Sequence, residues 1–360
     1  MSDDQFAGRR AIVARGLAAH KIDALLVTAP PNVRYLSGFT GDNGNLLIHA
    51  GGALLFTDPR FAIQAKQEAG CRIRISKGPL AADVLGTVRT LGLRRIGYDP
   101  AHTTCAYAEA LKAKLPLRSS LEPVAGWIEE LRMIKSAAEV ELIRRSVETN
   151  SRAFEQAVSR FRAGMKELDL AAEVEYRMRR LGAEKPSFET IVAAGRRSAL
   201  PHAQPTAAKI ERGNLVIVDM GAFENGYASD MTRMLFVGTP PARVKRTYRA
   251  VLEAQLAAIT AVHPGARTAA VDGAARQVLR KHGLDRFFVH STGHGLGLEI
   301  HEPPRVGKRD KSRLQAGMAI TIEPGVYLED WGGIRIEDTV VVTETGCRIL
   351  TPTPKELRVV

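Results

Sequence analysis

Cysteine is scarce in this chain, with 3 among 360 residues, at Cys71, Cys105 and Cys347, and nowhere in CxxC spacing. So few and so scattered, they exclude a disulfide framework and a thiolate zinc site, and they read as buried reduced thiols. Long apolar runs are missing as well. No stretch approaches the ~18 residues of a membrane-spanning helix, and Met1-Ser2-Asp3-Asp4-Gln5 opens onto an arginine-containing amphipathic stretch instead of an apolar signal core. A soluble cytoplasmic protein with no membrane partner is expected. Acid is the minority charge, 39 Asp and Glu against 51 Lys and Arg, for a formal net charge of +12. That balance raises nucleic acid as a partner. The basic residues, however, are scattered through helical stretches such as Arg243-Val244-Lys245-Arg246, with acids interspersed and no nucleic-acid motif beside them, so they read as solvated surface. Arg305, Lys308, Arg309, Lys311 and Arg313 form one tighter cluster, placed to attract an anionic substrate or simply to solvate a loop.

Apolar residues make up 45% of the chain, and the length suits two domains. The first part alternates helix and strand patterns: helix over Phe6 to His20, strand over Ala24 to Val27, and a hairpin of Asn45 to Ile48 with Ala53 to Phe56 through Gly51-Gly52. Helices over 61–68 and 81–91 alternate with strands over 72–75 and 95–98, so an α/β domain ending near Pro123 is expected. Ser136 and Glu139 have capping-box spacing at the head of a long amphipathic helix running to Phe161. Beyond it come helical patterns at 168–181, 244–262 and 268–282, separated by strands.

Those strands carry acids where apolar runs end. Leu215-Val216-Ile217-Val218-Asp219 and Ser229-Asp230-Met231-Thr232 flank Asn225-Gly226, a two-residue hairpin signal. Pairing through that turn sets Asp219 opposite Thr232 and leaves Asp230 diagonal to Asp219 on the same face, about 7 to 8 Å away at the backbone. A register slip of one would separate them. Two ordinary strand-end acids are the alternative, but an unpaired Asp is costly to bury in such a run. His294 stands in Gly293-His294-Gly295-Leu296-Gly297, a loop-like run that has neither the GxGxxG of a dinucleotide site nor HExxH. His290 and His301 lie close by. Glu323 ends Ala319-Ile320-Thr321-Ile322 before Pro324-Gly325, and could be an ordinary turn acid. Period-two alternation puts Ile334 and Ile336 on one strand face and Arg335 and Glu337 on the other, where a surface Arg-Glu pair is the plain alternative. Taken together, four carboxylates and an imidazole suit two divalent cations, because clustered carboxylates without cations repel one another.

These segments resemble the Xaa-Pro peptidases, prolidase and aminopeptidase P, of the creatinase-like pita-bread fold. The matching motifs are the Asp-Met-Gly strand at Asp219, Ser-Asp-x-Thr-Arg at Asp230, Gly-His-Gly-x-Gly at His294, Glu-Pro-Gly at Glu323, Arg-Ile-Glu-Asp at Glu337, and the Pro-His segment at Pro201-His202. Asn32-Val33-Arg34-Tyr35-Leu36-Ser37-Gly38-Phe39 resembles the amino domain of the same family and separates the chain from methionine aminopeptidases. Met234 departs from the threonine many relatives carry after Thr-Arg, without touching a ligand.

The resemblance implies an α/β creatinase-type domain over 1–125 and an α+β pita-bread catalytic domain over 126–360. It implies metal ligands Asp219, Asp230, His294, Glu323 and Glu337, holding two ions of Mn²⁺ or Co²⁺, with Zn²⁺ or Fe²⁺ as alternatives. Glu323, His202 and His301 take catalytic roles, and His290, Arg335 and Arg305 line or support the substrate site. The expected reaction is hydrolysis of the Xaa-Pro bond of short proline-containing peptides by a homodimer. Dipeptidase action is preferred, with aminopeptidase P as the alternative and a non-catalytic pita-bread binding protein as a remote one. No nucleic-acid partner is expected.

Overall fold

The computed structural model describes residues 3–360, so Met1 and Ser2 of the opening segment lie outside the described residues. Contacts divide the chain into two units, Met1–Arg132 and Met133–Val360.

The first unit is built on a six-stranded sheet with spatial order Arg72–Ile75, Gly52–Thr57, Gly44–His49, Ala24–Val27, Arg95–Tyr98, Ser120–Pro123. Only Gly44–His49 runs antiparallel to its neighbours; the remaining pairs are parallel, as an α/β pattern demands. Leu26, Leu47, Phe56 and Ile96 from the sheet bury against Val84, Leu85, Val88 and Leu111 from helices Leu80–Leu91 and Cys105–Lys112. The first helix spans Asp3–Gly16, ending before the expected His20. The hairpin turn is Ala50-Gly51, one residue earlier than expected, because Gly52 already pairs with His49. Helices Pro30–Ser37 and Cys105–Lys112 are additions to the sequence reading. Each has only 8 residues, too short for a periodic pattern, although Pro30 at the helix start and Gly38 beyond its end at φ +85° are the usual punctuation. The cysteines are free thiols, but Cys105 is exposed and Cys71 and Cys347 are only half-buried, which corrects the expectation of three buried ones.

In the second unit, Ile191–Ala194, Leu215–Met220 and Met231–Phe236 form a sheet that is buried on both faces. Val216, Val218 and Met220 face helices Ala137–Ser159 and Glu167–Leu181; Leu215 and Ile217 face the core that holds helices Ala242–Thr260 and Thr268–Lys281. That two-sided burial explains the unbroken apolar run ahead of Asp219, and period two places Asp219 on the Ile217 face. Ser136 caps the long helix with the full reciprocal capping box to Glu139. A five-stranded sheet, Glu302–Val306, Gly293–Gly295, Ala319–Ile322, Asp338–Val342, Cys347–Ile349, and a hairpin of Gly325–Leu328 with Gly332–Arg335 complete the frame of the site.

Candidate active site

The hairpin register is the one the sequence implies. Asn225 and Gly226 adopt φ +50° and +80°, the left-handed pair of a type I′ turn. Beyond the turn, Glu224 pairs with Tyr227, Met220 with Met231 and Asp219 with Thr232, so Asp230 follows diagonally on the same edge. Two expectations need correction. The run around His294 is a paired strand and not a loop: Gly293 and Gly295 pair with Val306 and Glu302 on one side, and Gly295 with Ile320 on the other. Its glycines serve strand approach, since a Cβ on Gly293 would fall 1.9 Å from the Thr321 carbonyl oxygen and one on Gly295 2.3 Å from that of Pro303. The strand expected to run through Glu337 also breaks there. Arg335 ends one hairpin and Asp338 begins a strand of the five-stranded sheet, while Ile334 and Ile336 stay buried and Arg335 and Glu337 keep the opposite face.

Asp219, Asp230, His294, Glu323, Glu337, His202, His290, His301, Arg305 and Arg335 all line one cavity of about 900 Å³. At its floor, ligand atoms of Asp230, His294 and Glu337 lie within 4.8 Å of one another. His294 Nε2 is 3.5 Å from both Asp230 Oδ2 and Glu323 Oε1. Its Nδ1 lies 3.0 Å from the Gly295 carbonyl oxygen, which fixes the tautomer with the proton on Nδ1 and leaves the Nε2 lone pair turned to the carboxylates. Glu337 Oε2 accepts the Thr232 hydroxyl at 2.7 Å. Burial pushes the Asp230 carboxyl well above the usual carboxylate range, and Asp219 and Glu323 beside it push further. Glu337 is raised by burial and then by Asp230, and Glu323 by burial, against the lowering pull of His294.

Arg335 is the hub beneath these groups. Its guanidinium donates to Asp219 Oδ2, to Thr232 Oγ1 at 3.1 Å, to the Tyr327 hydroxyl at 2.6 Å and to the Pro201 carbonyl at 3.2 Å, next to His202. It is 3% exposed, which rules out the surface Arg-Glu pair. From Tyr327 the chain passes to His290, whose Nε2 is 2.9 Å from the phenol and whose Nδ1 is 2.8 Å from the Ser291 carbonyl. Burial first and Arg335 second push His290 down to about 3, so it is neutral and its Nε2 accepts a hydrogen bond from the Tyr327 hydroxyl. His301 stacks edge-on to His294 with centroids 4.5 Å apart, and burial, then His294, lowers its pKa. On the rim, Arg305 donates to Ser291 Oγ at 3.2 Å. Of the other basic residues in its cluster, Lys308 and Arg309 border an adjoining hollow of about 360 Å³ that Arg305 and His290 also line, and Arg313 is tied to the Gly265 carbonyl at 2.8 Å.

Several site residues were not legible beforehand. Tyr327 sits in an apolar run, and the only clue is that a buried phenol needs a partner. Glu302 lines the cavity and pairs with Lys135, which lies 167 positions earlier. Arg233, embedded in the Thr-Arg motif, binds the Glu337 carbonyl and pairs with Asp338 at 2.8 Å, clamping the backbone on either side of the strand break.

The donor set fits divalent cations. Asp219 Oδ1 is fully buried with no hydrogen-bond partner, an unpaid desolvation that a cation would satisfy. Three carboxyls raised by burial and mutual repulsion are those that a positive ion would ionise. A pH dependence follows. In metal-free protein these groups bind protons more tightly folded than unfolded, so the stability they contribute is whole below about pH 4 and is lost as pH rises through their raised values. The rise in Tm on adding Mn²⁺ over the chelator-treated protein is therefore expected to grow from about pH 5 to about pH 8. An increment that is flat across that range, measured by differential scanning fluorimetry, would rule out cation binding at these carboxylates.

Residues 141–344 match the family model described as metallopeptidase family M24, and residues 9–134 the creatinase/prolidase N-terminal domain. The chain is 39% identical over 342 residues to the Xaa-Pro dipeptidase of Pyrococcus furiosus, covering 94% of this chain and 96% of that protein. Its fold is similar to the solved Xaa-Pro dipeptidase from Bacillus anthracis, with TM-score 0.96, 36% identity and coverage of 99% and 100%. It is also similar to the X-Pro aminopeptidase of Thermotoga maritima, with TM-score 0.92, 37% identity and coverage of 98% and 100%.

Proposed function

This chain belongs to metallopeptidase family M24, with a creatinase-type amino domain and a pita-bread catalytic domain, and from that premise we propose that it is an Xaa-Pro dipeptidase. The observation that carries the reading is the convergence of four carboxylates and a tautomer-fixed imidazole in one cavity with the Arg305 guanidinium on its rim. Asp219, Asp230, His294, Glu323 and Glu337 hold two divalent cations, Mn²⁺ or Co²⁺ with Zn²⁺ or Fe²⁺ as alternatives. When bound, such ions would polarise a carbonyl and lower the pKa of water.

The protein's own groups do the rest. Glu323, with its carboxyl raised by burial, takes a proton from the attacking water and returns it to the leaving proline nitrogen. His202 and His301 meet the developing charge from the rim. Arg335 holds Asp219, Thr232 and Tyr327 in register, and neutral His290 completes that chain without adding charge. Arg305 takes the free carboxylate of proline. On this reading the catalytic machinery lies within the domain expected over 126–360, and the protein acts in the cytoplasm as a homodimer; light scattering on the purified chain tests the last point. Among the described residues no helix is long and apolar enough to cross a membrane.

Aminopeptidase P action on longer peptides is the second reading, favoured by the similarity to the X-Pro aminopeptidase of Thermotoga maritima. Turnover of an Xaa-Pro dipeptide beside an Xaa-Pro-Yaa tripeptide by Mn²⁺- or Co²⁺-loaded protein separates the two. Cleavage of the tripeptide alone selects aminopeptidase P, and inactivity on both with metal bound ends the peptidase reading. Arg305→Gln is expected to raise KM for the dipeptide roughly 10- to 100-fold, the worth of a charged hydrogen bond, while leaving an Xaa-Pro amide nearly unaffected. Equal losses on both substrates would remove Arg305 from carboxylate recognition.

A further inference from the structure

Among the described residues, two groups of three or more metal-ligating side chains bring their ligand atoms within 4.8 Å of one another. One is the Asp230, His294 and Glu337 cluster. The other, Asp99, His102 and Glu129, lies in the amino-terminal unit and has no part in the proposed peptidase chemistry. We propose that Asp99, His102 and Glu129 form a second divalent transition-metal site, with Zn²⁺ or a similar borderline ion as the ligand.

The donor set is one imidazole and two carboxylates, a combination that suits such ions. His102 Nε2 lies 3.1 Å from Glu129 Oε1. Ligands ~2.1 Å from a common ion stand about 3.4 Å apart along a tetrahedral edge, so this pair needs little movement to share one. The backbone and its neighbours already hold the acids in place. Asp99 accepts the Ala101 N–H at 2.8 Å and the Gly126 N–H at 3.3 Å, and Glu129 Oε1 accepts the Asn32 amide at 2.5 Å. Arg132 donates to Asn32 Oδ1 at 2.7 Å, which holds the Asn32 amide toward Glu129.

One further observation points to a ligand here. Glu129 Oε2 is fully buried without a hydrogen-bond partner, leaving half of a carboxylate unsatisfied beside a second acid. Access is provided by His102, which is exposed and also borders a cavity of about 450 Å³ with Thr28, Asn43, Thr103 and Tyr107. The location agrees with a general rule for open α/β sheets. Asp99 directly follows Arg95–Tyr98 and Thr28 follows Ala24–Val27, two adjacent parallel strands, so the site sits at their carboxyl ends.

The test counts Zn²⁺ per full-length chain by inductively coupled plasma mass spectrometry after equilibration and desalting, in wild type, His102→Ala, Glu129→Gln and His294→Ala. The expected result is one ion fewer in His102→Ala and in Glu129→Gln, each with wild-type circular dichroism and unchanged turnover of an Xaa-Pro dipeptide. His294→Ala, by contrast, retains the ion that those two variants lose. Glu129→Gln preserves the side-chain shape and carries the test if His102→Ala does not fold. Equal zinc content in wild type and Glu129→Gln, or a wild-type ion so weakly held that desalting strips it from this site, overturns the proposal.

Discussion

Glu323→Gln is expected to lower kcat by roughly 10²- to 10⁴-fold with KM for an Xaa-Pro dipeptide little changed, the range that loss of a positioned acid-base group produces. Glu323 directly follows the Ala319–Ile322 strand, and its N–H is fixed to the Thr292 carbonyl at 2.7 Å. The carboxyl therefore has little freedom to wander. Oε1 accepts the Thr321 hydroxyl at 3.3 Å and faces His294 Nε2, and burial raises the proton affinity of the group toward the working pH. Glutamine keeps the shape and the hydrogen-bonding capacity but cannot carry a proton. Metal content measured on the same variant separates the two roles given to Glu323: a full complement of metal with lost turnover assigns the loss to proton transfer, and loss of metal assigns it to ligation. Wild-type kcat in the variant would refute both.

Lys135→Met is expected to destabilise the catalytic unit by about 3 to 5 kcal/mol, because it strands a buried carboxylate. The Lys135 and Glu302 side chains are 2% and 3% exposed, with Nζ and Oε2 2.9 Å apart. Glu302 Oε1 also accepts the Glu299 N–H at 3.1 Å, and Gly297 packs so close that a Cβ there would meet the carboxylate at 2.8 Å. For a unit of this size the loss corresponds to a Tm lower by about 10 °C. The paired change Lys135→Met with Glu302→Leu removes both charges and is expected to recover much of the stability. A single variant that melts with wild type would mean that Glu302 is satisfied without Lys135. The same pair anchors the start of the Glu302–Val306 strand, which directly follows His301 and carries Arg305 toward the cavity.

Much of the site was legible in the chain because its signals are local. The Asn225-Gly226 turn fixes a hairpin register, and the register alone sets Asp219 opposite Thr232 and Asp230 diagonal to Asp219. Ser136 and Glu139 announce the helix that follows them through groups only three positions apart. Signals that depend on distant partners misled or were absent. The glycines around His294 suggested a loop, because nothing local reveals the strands that press against them from both sides. Alternation predicted one strand through Glu337; Arg233, clamping the Glu337 carbonyl and Asp338, divides that segment between two sheets without changing which side chains face inward.

The sequence by itself determined the α/β character of the first domain, the register of the acid-bearing hairpin and the identity of the converging carboxylates and imidazole, while the pita-bread plan followed from the family resemblance. Turn chemistry and the period of a strand act within a few residues, so they are written directly in the chain. Only the tertiary structure decided that Arg335 lies buried beneath Asp219, that Tyr327 links it to His290, and that Lys135 neutralises Glu302. Those pairings join residues up to 167 positions apart, and they form because a charge removed from water must find its partner wherever the fold brings one within reach.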